Sequence, residues 1–475
     1  MTANLPLSIG VIHFIGIGGI GMSGIAEVLK ALGYNVSGSD INDNSNVIRL
    51  RKFGIKISIG HKKINVIDAK IVVISSAIDE NNEELIAARE LKIPIVHRSE
   101  MLCELMRLKW SVAIAGTHGK TTTTSIISSL LYSGGFDPTI INGGIIKNWE
   151  SNARLGKGDW MVVEADESDG SFNKLIPTVA VLTNIDPEHL DYYGSVSNLE
   201  KAFQDFISSI PFYGFKVLCI DHPAVQNLIP LNKDRRLLTY GQSTSADVRA
   251  VSIKFTEGHS TFDLILSDRM ICRRKVWHNV KLPMLGIHNV LNCLAGIAVA
   301  IEMGIPENLI RNSLVEFKGI KRRFEIKGKS NCGITVIDDY GHHPIEIKYA
   351  LSAARELAKN KKVIAIVQPH RYTRLKDLFE GFCSCFNDAD IVYVSDIFSA
   401  GEKPISDFDK DKLASGIIDH GHQNVLTLND PKFLAKSICE VSNSDDIVIL
   451  LGAGSITNWS NKLVDEINEC RESKC

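Results

Sequence analysis

The chain has 475 residues, of which 44% are apolar and 23% charged, which allows about three ordinary globular domains, each with its own core. A formal net charge of −2 offers no electrostatic basis for nucleic acid or an anionic membrane, so neither is an expected partner. The ten cysteines have no repeating spacing, and the close pair Cys383 and Cys385 lacks a matching second pair, so neither zinc nor a disulfide framework is indicated and reduced thiols in a cytoplasmic setting fit best.

The amino terminus has no basic stretch ahead of its apolar residues, and glycines interrupt those residues, so a secretory signal is not expected. No apolar run is long enough to span a bilayer. Further on, β-branched runs alternate with amphipathic stretches, as at Val11–Ile15, 71–75, 161–163, Val179–Leu182, Val363–Val367 and Ile447–Leu451. That alternation predicts an α/β protein built from parallel sheets covered by helices.

The first predicted strand, Val11–Ile15, leads into Gly16-x-Gly18-Gly19-x-Gly21 and a helix over 22–32. Glycines there allow a tight turn whose backbone N–H groups meet a diphosphate at a helix start. Asp40 follows a second strand over 35–37, where a carboxylate is placed to meet a ribose hydroxyl. Such a turn reports a nucleotide diphosphate rather than a nicotinamide, so a nucleotide sugar satisfies it as well as NAD does. This block ends in a helical segment near 103–109.

The strand over 112–115 then opens onto Gly116-Thr117-His118-Gly119-Lys120-Thr121-Thr122 and a helix. This is a phosphate-cradling loop for a nucleoside triphosphate. Lys120 neutralises the β and γ phosphates, and the Thr121 hydroxyl is placed to ligate Mg²⁺. Ile114 stands where the longer form of the loop has a glycine, so the loop is a shortened variant.

After the strand over 160–163 comes Glu164-Ala165-Asp166-Glu167-Ser168-Asp169-Gly170. A phosphate-loop protein needs a carboxylate on a neighbouring strand to hold Mg²⁺ against the phosphates, and Glu164 is where this strand stops; Glu167 is a second choice. Val179–Leu182 opens onto Thr183-Asn184-Ile185-Asp186-Pro187-Glu188-His189-Leu190-Asp191. His189 there is a metal ligand, a phosphate contact or an ordinary loop histidine. Residues 269–275 are a charge cluster expected in a solvated loop. Asn289 and Asn292 lie about one turn apart at the start of a helix over 293–302, as readers of an adenine edge or as caps.

A charged break at 318–323 precedes the strand over 334–337, which ends in Asp338-Asp339-Tyr340-Gly341-His342-His343-Pro344. Val363–Val367 is followed by Gln368-Pro369-His370-Arg371-Tyr372-Thr373-Arg374. Three domains result, at 1–107, 108–320 and 321–475.

In order along the chain, FIGIGGIGMSGIAEVL, GTHGKTTTT, VVEADESDGSF, TNIDPEHLDYY, GIHNVLNCLA, KRRFE, DDYGHHP, QPHRYTR and LLGAGSI resemble the Mur ligases, the ATP-dependent amino-acid ligases of peptidoglycan synthesis. The resemblance spans essentially the whole chain. It implies a Rossmann-like sugar-nucleotide domain, a central phosphate-loop ATPase-like domain and a Rossmann-like amino-acid domain. The implied reaction joins L-alanine to the lactyl carboxylate of UDP-N-acetylmuramate through an acyl phosphate, with ATP and two Mg²⁺ ions, in a cytoplasmic monomer or homodimer.

By the same resemblance, Lys120 and Thr121 serve the ATP phosphates and first Mg²⁺, Glu164 the metal, and His189 a second Mg²⁺. Asn289 and Asn292 lie near the adenine, Arg323 on the phosphates and Asp339 on the ATP ribose. His61, Ser75 and Ser76 join the glycine turn in contacting the sugar nucleotide. An alanine pocket needs guanidinium forks for a carboxylate, which Arg371 and Arg374 offer. Tyr340 and His342 are implied to orient the amine, and His189, His342 or the substrate phosphate takes its proton. Lys120, Glu164, His189, Arg323 and His342 form the expected catalytic set. No lysine matches the carbamylated lysine of the family members that add later residues.

Overall fold

Short strands and helices alternate from Val11 to Glu472 in the computed structural model, which describes residues 9–256 and 258–472. They group into two compact units. One comprises the chain to Ile253 with Phe262–Lys281 and Leu291–Lys318; the other comprises Lys254–Thr261, Leu282–Val290 and the chain from Gly319. Among the described residues, no helix is long and apolar enough to cross a membrane.

The first unit begins with a sheet of β1 (Val11–Ile15), β2 (Asn35–Asp40), β3 (Lys56–Ile59), β4 (Ala69–Ile74) and β5 (Ile95–His97), in the order β3-β2-β1-β4-β5. Every pairing is parallel. The connections carry α1 (Ile20–Ala31), α2 (Ser45–Lys52), α3 (Glu83–Glu90) and α4 (Arg98–Met106). Strand order reverses on either side of β1, so the glycine turn after β1 opens at a topological switch point, where α/β sheets bind ligands. β2 runs past the expected residue 37. Gly38 is a strand position against which Ile17 packs: a Cβ there would lie 2.6 Å from Ile17 Cδ1.

A ten-stranded sheet follows. β6 (Trp110–Ala115) lies between β9 (Trp160–Glu164) and β10 (Val179–Leu182), and both flanking strands run parallel to it. Beyond β9 come β7 (Thr139–Ile146) and β8 (Ser151–Arg154). Beyond β10 come β11 (Phe215–Cys219), β12 (Arg236–Gly241), β13 (Val248–Thr256), β14 (His259–Leu266) and β15 (Val276–Leu282), in order. Because Val112 pairs with Val179 and Ile114 with Glu164, the carboxyl ends of β6, β9 and β10 coincide. Their loops therefore meet at one edge, at the amino end of α5 (Lys120–Ser133). The fully buried Val112, Ala113, Ile114 and Ala115 read as a continuous apolar run because both sheet faces are covered.

The helix Ile287–Glu302 starts well before the expected residue 293. The cluster at 269–275 is not simply a solvated loop. Arg269 Nη1 pairs with the buried Asp247 at 3.1 Å, and Lys275 Nζ donates to the carbonyls of Ser267 and Met270; the charges are drawn in by a buried carboxylate and by carbonyls at the turn.

The second unit contains β16 (Glu325–Lys329), β17 (Thr335–Asp339), β18 (Val363–Val367), β19 (Ile391–Val394), β20 (Val425–Thr427) and β21 (Ile447–Leu451), ordered β16-β17-β21-β18-β19-β20. Only the edge strand β16 is antiparallel. Ile337, Val363, Ala365 and Val367 build the core on one face, Val336, Ile364 and Ile366 on the other. Alternate residues face opposite ways, which explains the uninterrupted apolar strands.

Candidate active site

Gly119 caps α5 with φ 81°, and Gly116 has φ 133°. A Cβ at Gly116 would sit 2.0 Å from Thr183 Oγ1, and one at Gly119 2.5 Å from Asn292 Oδ1. The loop needs glycine for backbone angle and for close approach. The loop after β10 braces it. Thr183 Oγ1 donates to the His118 carbonyl at 2.7 Å, the His118 N–H donates to Asn184 Oδ1 at 2.7 Å, and the Asp186 N–H donates to Thr117 Oγ1 at 2.8 Å. Asn292 Oδ1 accepts from Thr123 at 3.1 Å, which holds it against this loop. Asn289 Nδ2 donates to the Leu285 carbonyl at 2.7 Å.

Lys120 Nζ donates to the carbonyls of Gly116 and Thr117, at 2.6 and 3.1 Å, and lies 2.8 Å from Glu167 Oε1. Burial alone would lower the Lys120 pKa, but the carboxylates of Glu167, Glu164 and Asp166 outweigh it and raise it. The lysine stays charged. Burial pushes Glu167 up to about 7, against the pull of Lys120. Asp166 is held below its ordinary value, because Arg98, 3.0 Å away, and Lys120 overcome its desolvation.

The acidic loop places its two glutamates on different partners. Glu164 Oε1 accepts from Thr121 Oγ1 at 3.1 Å, and its Oε2 accepts from the Gly143 N–H at 2.7 Å. Glu167 instead lies with Glu188 and His189, whose ligand atoms fall within 4.8 Å of one another. Glu167 Oε2 is buried without a hydrogen-bond partner. An orphaned carboxylate oxygen beside a second carboxylate and an imidazole fits a hard divalent cation, as does the hydroxyl–carboxylate pair of Thr121 and Glu164. Glu188 was not singled out from sequence: it reads as part of a polar loop, and only its place beside His189, itself at φ 56°, hints at the grouping.

In the glycine turn, the N–H groups of Gly16 and Ile17 donate to the Ser39 carbonyl. Asp40 Oδ2 accepts from the Gly18 N–H at 2.8 Å, so this carboxylate braces the turn. Gly18 itself is crowded by Asn44, Asp40 and Val47, and Gly21 by Arg98; Gly19 caps α1. His61 Nδ1 lies 3.0 Å from Ser39 Oγ. Ser75 and Ser76 form the turn after β4, the strand next to β1.

In the second unit, Arg322 and Arg323 lie over the Tyr340 ring at 4.8 and 5.0 Å. Arg322 is committed to the carbonyls of Gly452 and Gly454, whereas Arg323 meets Glu346 at 3.8 Å. Asp339 accepts from the N–H groups of Phe324 and Gly341, each at 2.7 Å, and burial raises its pKa to about 6. His342 Nδ1 lies 3.1 Å from the Tyr340 carbonyl and 3.4 Å from Glu346. Arg374 donates to His370 Nδ1 at 3.2 Å, and His370 stacks on Phe398. Burial, His342 and the nearby arginines lower His370 to about 3. Arg371 is exposed, with φ 68°.

Family models match along the chain in the same order: the Mur ligase family catalytic domain at 11–110, the Mur ligase middle domain at 114–300 and the Mur ligase glutamate ligase domain at 322–454. The UDP-N-acetylmuramate–L-alanine ligase of Rhodospirillum centenum is 57% identical over 464 residues, covering 98% of this chain and 96% of that protein. The enzyme of the same name from Bradyrhizobium diazoefficiens is 55% identical, covering 98% and 99%. The crystal structure of UDP-N-acetylmuramate-alanine ligase MurC from Thermotoga maritima superposes with a TM-score of 0.82 at 28% identity, covering 98% of this chain and all of that one.

Proposed function

The chain belongs to the Mur ligase family, and from that premise we propose that it joins L-alanine to UDP-N-acetylmuramate at the expense of ATP, in cytoplasmic peptidoglycan precursor synthesis. A lactyl carboxylate is a poor electrophile. Its oxygen attacks the γ-phosphorus of ATP, ADP leaves, and an acyl phosphate results. The alanine amine then attacks the carbonyl carbon, phosphate departs, and a proton leaves the nitrogen as the amide forms.

Lys120 compensates charge where the anionic carboxylate approaches the γ-phosphate, and the carbonyls of Gly116 and Thr117 hold its ammonium in place. One preorganised charge contact of this kind is worth about 3 kcal/mol of barrier. Thr121 with Glu164, and Glu167 with Glu188 and His189, would each hold a Mg²⁺ ion. When bound, Mg²⁺ screens the phosphate charges. In the second unit, Arg323 is the phosphate ligand, Arg371 and Arg374 take the alanine carboxylate, and Tyr340 and His342 orient its amine. The glycine turn, Asp40, His61, Ser75 and Ser76 bind or shape the site for the sugar nucleotide. Holding three substrates in line is worth roughly 7–11 kcal/mol, so positioning outweighs any single contact.

The observation that carries this reading is the convergence of Lys120, Thr121, Glu164 and Glu167 at the aligned ends of β6 and β9. The test is ADP release from ATP and Mg²⁺ with UDP-N-acetylmuramate and each of twenty amino acids, the product identified by mass spectrometry. Stimulation by alanine with an alanyl amide product is expected; AMP and pyrophosphate, or no nucleotide consumption, would overturn the reading.

A further inference from the structure

Glu84 is completely buried in the first unit, and no step above uses it. Its two oxygens have different partners. Oε1 accepts from the Lys62 backbone N–H at 3.1 Å and from the Asn65 amide. Oε2 accepts from the Ser39 hydroxyl at 2.5 Å and lies 3.4 Å from His13 Nε2, whose ring meets Ser37 through Nδ1. Ser39 Oγ is also 3.0 Å from His61 Nδ1, while the Ser39 carbonyl takes the Gly16 and Ile17 amides of the glycine turn at 2.8 and 2.9 Å. Desolvation of Glu84 is outweighed by hydrogen bonds from His13, Ser39 and Asn65, so its carboxyl lies below its ordinary range and is ionised.

An ionised carboxylate only accepts, and a serine hydroxyl has one proton to give. Ser39 gives that proton to Glu84, so a lone pair faces His61 and Nδ1 of the imidazole must carry hydrogen. A single imidazole hydrogen is thereby held on Nδ1, which also faces Glu84 Oε2 at 3.6 Å, and Nε2 is then an acceptor. The side chain retains 14% exposure, so the imidazole is not sealed from a ligand. An acceptor is repelled by diphosphate oxygens and matches an O–H or N–H. The position in the sheet agrees: the glycine turn follows β1, whereas His61 follows β3, two strands away, about 10 Å at the usual strand spacing. That separation is on the scale of a diphosphate and its nucleoside.

We propose that Glu84 is a positioning residue that sets the tautomer of His61 through Ser39, so that His61 Nε2 accepts a hydrogen bond from the nucleoside of the sugar nucleotide. The donor is a ribose hydroxyl or the uracil N3–H. This rests on the reading of the first domain as the UDP-N-acetylmuramate site.

Glu84→Gln tests it, because the network dictates how the amide must lie. The Lys62 N–H is an obligate donor, so the glutamine oxygen faces Lys62 and its NH₂ faces Ser39. Ser39 then accepts from Gln and donates to His61 Nδ1, which moves the imidazole hydrogen to Nε2. Nitrogen-15 NMR of histidine-labelled full-length protein, with the His61 signal assigned by its loss in His61→Ala, is expected to show that switch. The KM for UDP-N-acetylmuramate is expected to rise about tenfold, the effect of one buried hydrogen bond reversed in polarity, with kcat and the KM for ATP within about twofold of wild type.

Substrate analogues methylated at uracil N3 or lacking the ribose 2′-hydroxyl locate the donor. One of them is expected to bind wild type about tenfold more weakly than the parent and to lose that penalty in Glu84→Gln. An unchanged tautomer, or equal rises in KM for ATP and sugar nucleotide, would overturn the positioning role. An unchanged sugar-nucleotide KM in His61→Ala would overturn the nucleoside contact. Absence of UDP-N-acetylmuramate binding by calorimetry to wild type would instead sink the functional reading beneath both. If Glu84→Gln does not fold, the wild-type spectrum carries the test: His61 is expected as the Nδ1–H tautomer, with Nδ1 facing Ser39 Oγ and Glu84 Oε2, and an Nε2–H imidazole there would overturn the proposal.

Discussion

Lys120 Nζ and Glu167 Oε1 stand 2.8 Å apart in an ion pair whose side chains are only 14% and 3% exposed. The lysine proposed to serve phosphate is thus held by a carboxylate that also belongs to a candidate cation cluster with Glu188 and His189. Removing the lysine alone leaves a buried carboxylate uncompensated, which typically costs several kcal/mol. Lys120→Ala is therefore expected to lower alanine-dependent ADP release by about 10²–10³-fold and to lower Tm. Lys120→Ala with Glu167→Gln is expected to recover Tm and not activity. Calorimetry and coupled ADP assays on the three proteins separate the two effects; substantial turnover in Lys120→Ala would remove the lysine from the chemistry.

Glu167 also predicts a pH dependence. Burial lifts its pKa from 4.5 to about 7, so the folded state binds this proton more tightly than the unfolded chain. The group's contribution to stability is complete below about 4.5 and is lost as pH rises through about 7. Urea midpoints of metal-free and nucleotide-free protein should fall over that window. Glu167→Gln, which does not titrate, should flatten that part of the profile, and an identical slope in the variant would disprove the assignment.

Gly116→Ala and Gly135→Ala separate crowding from backbone preference. Both glycines have positive φ, but a Cβ at Gly116 would fall 2.0 Å from Thr183 Oγ1, whereas one at Gly135 meets nothing within 4 Å. Gly135→Ala is expected to cost about 1 kcal/mol of stability with an unaltered KM for ATP. Gly116→Ala is expected to raise that KM by on the order of tenfold or more as the loop is displaced from Thr183, which nucleotide titration measures.

The cation clusters predict which carboxylates set the metal requirement. Glu164→Gln and Glu188→Gln should each raise the Mg²⁺ concentration giving half-maximal ADP release by on the order of tenfold. A Glu188→Gln enzyme with the wild-type requirement would exclude Glu188 from the cation site.

Arg374 Nη1 donates to His370 Nδ1, which fixes the guanidinium plane. Arg374→Lys keeps the charge and loses the planar fork, so the KM for alanine should rise about tenfold while the KM for ATP stays constant. Parallel changes in both constants would point to a general structural role instead.

Most strands could be read directly from the chain. Val11–Ile15, Val179–Leu182, Val363–Val367 and Ile447–Leu451 occupy the residues expected of them, because strands buried on both faces are continuous apolar runs. Element ends were harder to place. β2 continues through Gly38 by pairing with Phe14 and Ile57, and the missing side chain leaves the space that Ile17 fills, a tertiary fit that no local pattern carries. The helix at Ile287–Glu302 takes in Asn289 and Asn292, polar residues that mask its apolar period. Among the expected site residues, Asp40 was legible as a carboxylate beside the glycine turn, but its bond to the Gly18 N–H depends on how the strand after α1 returns alongside β1.

By itself, the sequence determined the local devices: glycines at 116 and 119 that permit the loop's backbone, a lysine at the start of α5, carboxylates where a strand stops, and the periodicities that make strands and helices. Those depend on residues a few positions apart, so they survive in one dimension. Only the tertiary structure decided that Glu164 belongs with Thr121 and that Glu167 belongs with Lys120, Glu188 and His189. The physical reason is that parallel pairing of β6, β9 and β10 aligns the ends of strands far apart in the chain, after which side-chain reach and burial choose the partners.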